Sequence, residues 1–212
     1  MHHSTVTIAA ISIYAVSIPL KAPIKMAGVT VKTADNLIIN IHSDAGKSGW
    51  GEAASAPTMT GEFVEGMFAA AQFLKSRLVG GSYSNLDELR ALLHSPLYGN
   101  DGAIAAMEMA LLDLFAVSCN VSLLDLLGKS QRQNVTALTM IAGGKLEEEV
   151  AKAEAKKSEG FTSFKVKVGS LTAQQDLQRC AAIRQVLGND AVISADANEG
   201  YGAEQAIAFA VE

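Results

Sequence analysis

The side chains best suited to chemistry come as two pairs, each spaced by two residues. Lys165 and Lys167 lie within the stretch Phe161 to Gly169, and Asp196 and Asn198 close the stretch Ala191 to Asn198. The first stretch is short, β-branched or aromatic at alternate positions and bounded by glycine, which predicts a strand. Side chains alternate faces along a strand, so Ser163, Lys165 and Lys167 point one way and Phe164, Val166 and Val168 the other. Inside a parallel sheet both faces are covered, and two ammonium groups there are costly unless something uses or compensates them. The plain alternative is an edge or surface strand carrying two solvated lysines. The second stretch repeats the arrangement with an acid and an amide, which weighs against that alternative.

A β-α-β unit is what must position these pairs. A helical segment, Ala173 to Leu187, joins the two strands and ends at Gly188. Such a unit makes its strands parallel neighbours and sets Lys167 and Asp196 near the carboxyl ends of adjacent strands, where α/β barrels keep their chemistry. Upstream, Val135 to Ile141 predicts a strand with Thr139 facing the same way as Ala137 and Ile141. Leu146 to Ser158 predicts a charged helix supported by a Glu148 to Lys152 pair at i,i+4. Its run of Glu147, Glu148 and Glu149 suits the N-terminal end of the helix dipole, with no functional role read into it. Ala203 to Glu212 begins a third helix. Three β-α units cannot close a barrel, and this last helix carries no stop signal, so the natural protein is expected to continue or to be completed by a second segment.

The preceding half has a different pattern. Thr7 to Ile18 predicts a first strand, and Asp35 to His42 and Ser48 to Ala53 an antiparallel hairpin around the turn Asp44-Ala45-Gly46. Pro19 to Thr33 has loop chemistry, with prolines, Gly28 and three lysines, and Ser55 to Gly61 is a second small polar loop. Helical spacing follows in Phe63, Met67, Ala70, Leu74 and Leu78. Asn85 and Glu88 have capping-box spacing for Leu86 to Leu93. Ala103 to Cys119 is apolar nearly all round and predicts a buried helix, with Glu108 and Asp113 as polar contacts or caps. Leu123 to Leu127 is a short helix closed by Gly128. Lys129 to Asn134 looks like a linker, which divides the chain into an α+β domain over 1–130 and three β-α units over 131–212.

Bulk properties exclude several classes. The chain has 212 residues and a formal net charge of -5, which argues against a generic nucleic-acid or polybasic membrane role. Cys119 and Cys180 are far apart and in apolar helical contexts, so buried thiols are expected and a disulfide framework is not. The four histidines, His2, His3, His42 and His94, form no metal pattern. No signal peptide is read at the N-terminus, and no apolar run is read as approaching the ~20 residues of a membrane span, so a cytoplasmic protein is expected.

Several motifs together resemble the enolase superfamily, in its muconate-lactonizing-enzyme and mandelate-racemase-like group, over almost the whole chain. Gly49-Trp50-Gly51-Glu52-Ala53 resembles the hairpin end that opens the family's second capping loop. Ala103 to Leu114 resembles its long capping-domain helix, and Leu126-Leu127-Gly128 the junction to the barrel. Phe164-Lys165-Val166-Lys167-Val168-Gly169 resembles the second barrel strand with its Lys-x-Lys motif. Asp196-Ala197-Asn198 with Gly200-Tyr201 resembles the third strand with the first metal ligand.

The resemblance implies an α+β capping domain, an antiparallel sheet plus helices, followed by a partial (β/α) TIM-type barrel. It implies removal of the proton next to a substrate carboxylate, giving an enediolate held by Mg²⁺, with Mn²⁺ as an alternative ion. Lys167 would be the base. Lys165 would favour its neutral form by like-charge proximity and touch the substrate carboxylate. Asp196 would be a metal ligand, Asn198 a polar contact beside it, and Thr139 a substrate contact. The segments Pro19 to Thr33 and Ser55 to Thr60 would cap the pocket and set specificity. The partners implied are a small carboxylate substrate and further copies of the chain in a homo-oligomer. The family's two further acidic ligands and opposing lysine are not among the 212 residues, so activity is expected only of the completed barrel. Cycloisomerase, racemase or epimerase, and dehydratase chemistry share these residues. Two readings outside the family stand beside them, a Schiff-base aldolase with Lys167 as nucleophile and a non-catalytic structural relative.

Overall fold

The computed structural model describes residues 5–26, 29–128 and 130–212. His2, His3 and Gly28 lie outside the described residues. The chain divides into two compact units, Met1–Gln131 and Arg132–Glu212.

In the first unit three strands, β1 (Val6–Met26), β2 (Val29–Ser43) and β3 (Ser48–Ala54), are followed by α1 (Val64–Leu78), β4 (Ser82–Tyr83), α2 (Leu86–His94), α3 (Asp101–Cys119) and α4 (Leu123–Leu127). The antiparallel sheet has the order β3-β2-β1-β4. Period-two alternation puts Leu37, Ile39 and Ile41 on its covered face, all fully buried. Their register partners on β3 are Ala53, Gly51 and Gly49. The glycines let α3 lie directly on the sheet. A Cβ at Gly51 would stand 1.9 Å from the Ala106 carbonyl oxygen, and one at Gly49 2.2 Å from that of Ala110. Trp50, between them, faces the other way and is exposed. Its backbone N–H donates to Asp113 Oδ2 at 2.8 Å, and Glu108 accepts from Arg90 Nε at 2.6 Å. Both acids of the apolar helix thus act as polar contacts.

Several expectations need correction. Pro19 to Thr33 is not a loop: the β1/β2 ladder runs on through Pro19↔Thr33 to Met26↔Val29. The ladder absorbs the prolines in a register shift between Pro19 and Ile24, the kind of place where a strand tolerates them. β4 has two residues, too few to leave a periodic signal. By length and composition α3 could cross a membrane, contrary to the reading that no run comes close. Its Ala103, Ala106, Met107, Ala110 and Leu114 are fully buried in the core of this unit, the environment that an all-round apolar helix needs. Asn85 caps α2 through the Asp87 N–H at 2.9 Å.

The second unit alternates β5 (Leu138–Ile141), α5 (Leu146–Ser158), β6 (Ser163–Lys167), α6 (Ala173–Leu187), β7 (Val192–Asp196) and α7 (Ala203–Val211). Its parallel sheet has the order β5-β6-β7. One face of the sheet meets the helices, where Ile141, Phe164 and Val166 are fully buried with Ala153 and Ile183. The strand expected from Val135 begins only at Leu138, and Val135 is exposed. Thr172 and Gln175 form a reciprocal capping box at the start of α6, with bonds of 3.3 and 3.1 Å, and Gly188 closes the helix at φ 81°. Glu148 turns back to the Lys145 N–H at 3.1 Å, an N-terminal cap in place of the expected i,i+4 pair with Lys152. An antiparallel sheet with helices, then parallel strands alternating with helices, is the expected α+β and β/α arrangement.

Candidate active site

The two polar pairs meet. Parallel register sets Lys165 beside Ser194 and Lys167 beside Asp196, so the lysines and the acid share the face of the sheet opposite Phe164 and Val166. Lys167 Nζ donates to Asp196 Oδ2 at 2.7 Å, and Lys165 Nζ reaches the same oxygen at 3.3 Å. Lys167 Nζ also donates to Asn198 Oδ1. The lysine side chains are 36% and 30% exposed and that of Asp196 26%, so this is a half-buried cluster and not a solvated strand.

Local backbone chemistry shapes the acid end. Asn198 and Glu199 have left-handed φ values of 44° and 62°, which turn the chain immediately after β7. The Asn198 N–H bends back to Asp196 Oδ1 at 3.1 Å. The hydrogen bond from Lys167 is the main reason the Asp196 carboxyl is held at about 2, helped by the Asn198 N–H and by Lys165 against the opposing effect of burial. Non-glycine residues in this region of backbone space concentrate at functional sites. At the facing turn Gly169 has φ 88°, and a Cβ at Gly200 would stand 2.4 Å from the Gly169 carbonyl oxygen, so the turns after β6 and β7 touch backbone to backbone.

Thr139 does not join the cluster. Its register partner is Phe164, which places it on the helix-covered face with Ile141. The same alternation that aligns Thr139 with Ile141 turns it away from the lysines.

Asp196 and Asn198 offer oxygens, the ligand type of a hard cation. Among the described residues, however, no three His, Cys, Asp or Glu side chains gather into a metal-binding group. The described residues alone do not make a Mg²⁺ site, because one carboxylate supplies too few oxygens.

A second feature lies wholly in the first unit. Val29 to Thr33 and Ser55 to Thr58, parts of the segments Pro19 to Thr33 and Ser55 to Thr60 expected to cap a pocket, line one concavity of about 820 Å³ with Phe63, Val64 and Glu65.

Sequence reasoning missed a buried cluster behind β6. Glu149, Asp176 and Arg179 are 1%, 0% and 8% exposed. Glu149, expected only to suit the helix dipole, is the bidentate acceptor of Arg179, at 2.9 Å from Nε and 2.6 Å from Nη2. The signal was present: Asp176, Arg179, Ile183 and Leu187 fall on one helical stripe, so two charges share the apolar face of α6. Burial alone would lower the Arg179 pKa, but its hydrogen bonds to Glu149 and Asp176 raise it above the ordinary arginine value.

Comparison with known proteins agrees with this arrangement. Residues 8–128 match the mandelate racemase / muconate lactonizing enzyme N-terminal domain, and residues 148–212 the enolase C-terminal domain-like family. The L-Ala-D/L-Glu epimerase of Bacillus subtilis is 33% identical over 91% of this chain and 52% of its own length. Its substrate-liganded structure superposes with a TM-score of 0.89 at 32% identity, over 96% of this chain and 56% of that one. The chloromuconate cycloisomerase CbnB of Cupriavidus necator is 32% identical over 94% of this chain and 55% of its own. The dipeptide epimerase of Cytophaga hutchinsonii, complexed with Mg and the dipeptide D-Ala-L-Val, has a TM-score of 0.87 at 29% identity, over 96% of this chain and 55% of that one. These relatives are isomerases, and the chain spans about half their length. With an antiparallel α+β unit, a parallel β/α unit and both family models matched, the chain belongs to the mandelate racemase and muconate lactonizing enzyme group of the enolase superfamily.

Proposed function

We propose that the whole protein is an isomerase that removes the proton next to the carboxylate of a small substrate, forming an enediolate, as a racemase or epimerase or as a cycloisomerase. The observation that carries this reading is the meeting of Lys165, Lys167 and Asp196 at the carboxyl ends of adjacent parallel strands. Lys167, in its neutral form, takes the proton. Lys165 stays an ammonium and holds the substrate carboxylate, a charge-assisted contact that strengthens as negative charge builds on that group. Asn198 orients the Lys167 amine through its side-chain oxygen. We propose Mg²⁺ as the cofactor, from the chemistry of the Mg-complexed relative, with Asp196 the carboxylate this chain contributes.

The test is exchange of solvent deuterium into a panel of dipeptides, N-acyl amino acids and muconate-type acids, with and without a chelator. Exchange that needs Mg²⁺ and falls by roughly 10²–10⁴-fold in Lys167→Met is expected, the range of a positioned general base. Borohydride trapping of a carbonyl substrate on Lys167 in place of exchange would overturn the reading in favour of Schiff-base chemistry.

A further inference from the structure

The buried cluster behind β6 lies outside the chemistry above. Arg179 is clamped by Glu149 on α5 and by Asp176 Oδ1 at 2.5 Å on α6, and its Nη2 donates to the Lys167 carbonyl at 3.2 Å. The other Asp176 oxygen accepts from the Gly169 N–H at 2.8 Å and from the Tyr201 hydroxyl at 2.7 Å. Two of these contacts therefore end on the backbone that carries Lys167, and one on the loop that follows Asp196 and Asn198. Buried ion clusters are a weak source of net stability, since well-packed apolar residues often replace them without loss. This one joins the ends of two adjacent strands through a single guanidinium-carboxylate frame.

We propose that Arg179, Asp176 and Tyr201 are positioning residues that set the distance between the Lys167 amine and the Asp196 carboxylate. Arg179 pins the carbonyl of Lys167 from behind the sheet. Asp176 ties the β6 turn at Gly169 to the β7 loop at Tyr201. The catalytic consequence rests on the proposed function; the geometric one does not. Misplacement of a reacting group by about 1 Å costs on the order of 10²-fold in rate, so the frame need fail only slightly to be felt.

The experiment compares Arg179→Lys and Tyr201→Phe with Leu187→Ala, a core truncation on α6 outside the frame. Two readouts are taken: kcat and KM for deuterium exchange, and the NMR signals of the Lys167 side-chain ammonium with its through-space contact to Asp196. Arg179→Lys is expected to lower kcat on the order of 10²-fold with KM little changed, and to shift the Lys167 signals. Tyr201→Phe does the same by several-fold, as loss of one part-buried hydrogen bond predicts. Leu187→Ala loses stability but leaves both readouts at wild-type values. Unchanged Lys167 signals and kcat in folded Arg179→Lys and Tyr201→Phe would overturn the proposal, as would an equal loss in Leu187→Ala. If Arg179→Lys does not fold, Tyr201→Phe decides. If the wild-type protein exchanges no carboxylate, the proposed function fails and the Lys167 signals alone decide the frame.

Discussion

Asp196 is a carboxylate shared by two amines, and that sharing makes its titration informative. Its folded pKa of about 2 lies below the ordinary 3.8. Its contribution to stability is therefore fully present above the ordinary value and is lost as pH falls through about 2. Carbon-detected NMR of the Asp196 carboxyl is expected to show that low midpoint, and Lys167→Met, which removes the largest cause, to move it up toward the ordinary value. Tyr201 is the complementary case. Burial and its bond to Asp176 push the phenol up to about 12. A raised value means that its contribution is intact below the unfolded pKa of 10.0 and is lost as pH rises through about 12. Phenolate absorbance should show two tyrosines titrating late, since burial also raises Tyr83, and Tyr201→Phe should abolish one of those two phases.

Elements here are placed as much by what is absent from a residue as by what is present. Gly49 and Gly51 carry no side chain where α3 crosses β3, and the intervening Trp50 points out. Gly51→Ala drives a Cβ into backbone, which cannot retreat as a flexible side chain could. It is expected to cost about 1–3 kcal/mol, read as a lower urea midpoint. The capping box of α6 belongs to the same scale. Thr172→Ala leaves the Gln175 N–H without its side-chain partner, and a loss of about 0.5–2 kcal/mol is expected from the same denaturation measurement. These elements explain why the pairs Lys165/Lys167 and Asp196/Asn198 face one cluster: the helix that joins their strands starts and stops where Thr172 and Gly188 dictate.

At the scale of the whole molecule, the two cores share no residue: one runs from Val6 to Phe115 and the other from Ile141 to Leu187. Phe164→Ala empties the centre of the second core and is expected to cost about 3–5 kcal/mol, with amide exchange protection lost in Arg132–Glu212 well before Met1–Gln131. The periodicity that built these cores was legible in the residues. Alternation in β6 set the lysines against Phe164 and Val166, and Gly188 marked the end of α6, because these are short-range consequences of backbone geometry. Proline misled the reading of Pro19 to Thr33, since its loop preference is local and a register shift in a long ribbon is not. By itself the sequence determined the family, the order of the helices and of the parallel strands, and the spacing of the two polar pairs, all of them properties of neighbours along the chain. Only the tertiary structure decided that both lysines share one oxygen of Asp196, that Thr139 turns to the core, and that Glu149, Asp176 and Arg179 form a frame behind Lys167. Those outcomes depend on strand register and helix placement, which join residues distant in sequence; of the frame, only the two charges on the apolar stripe of α6 left a local trace.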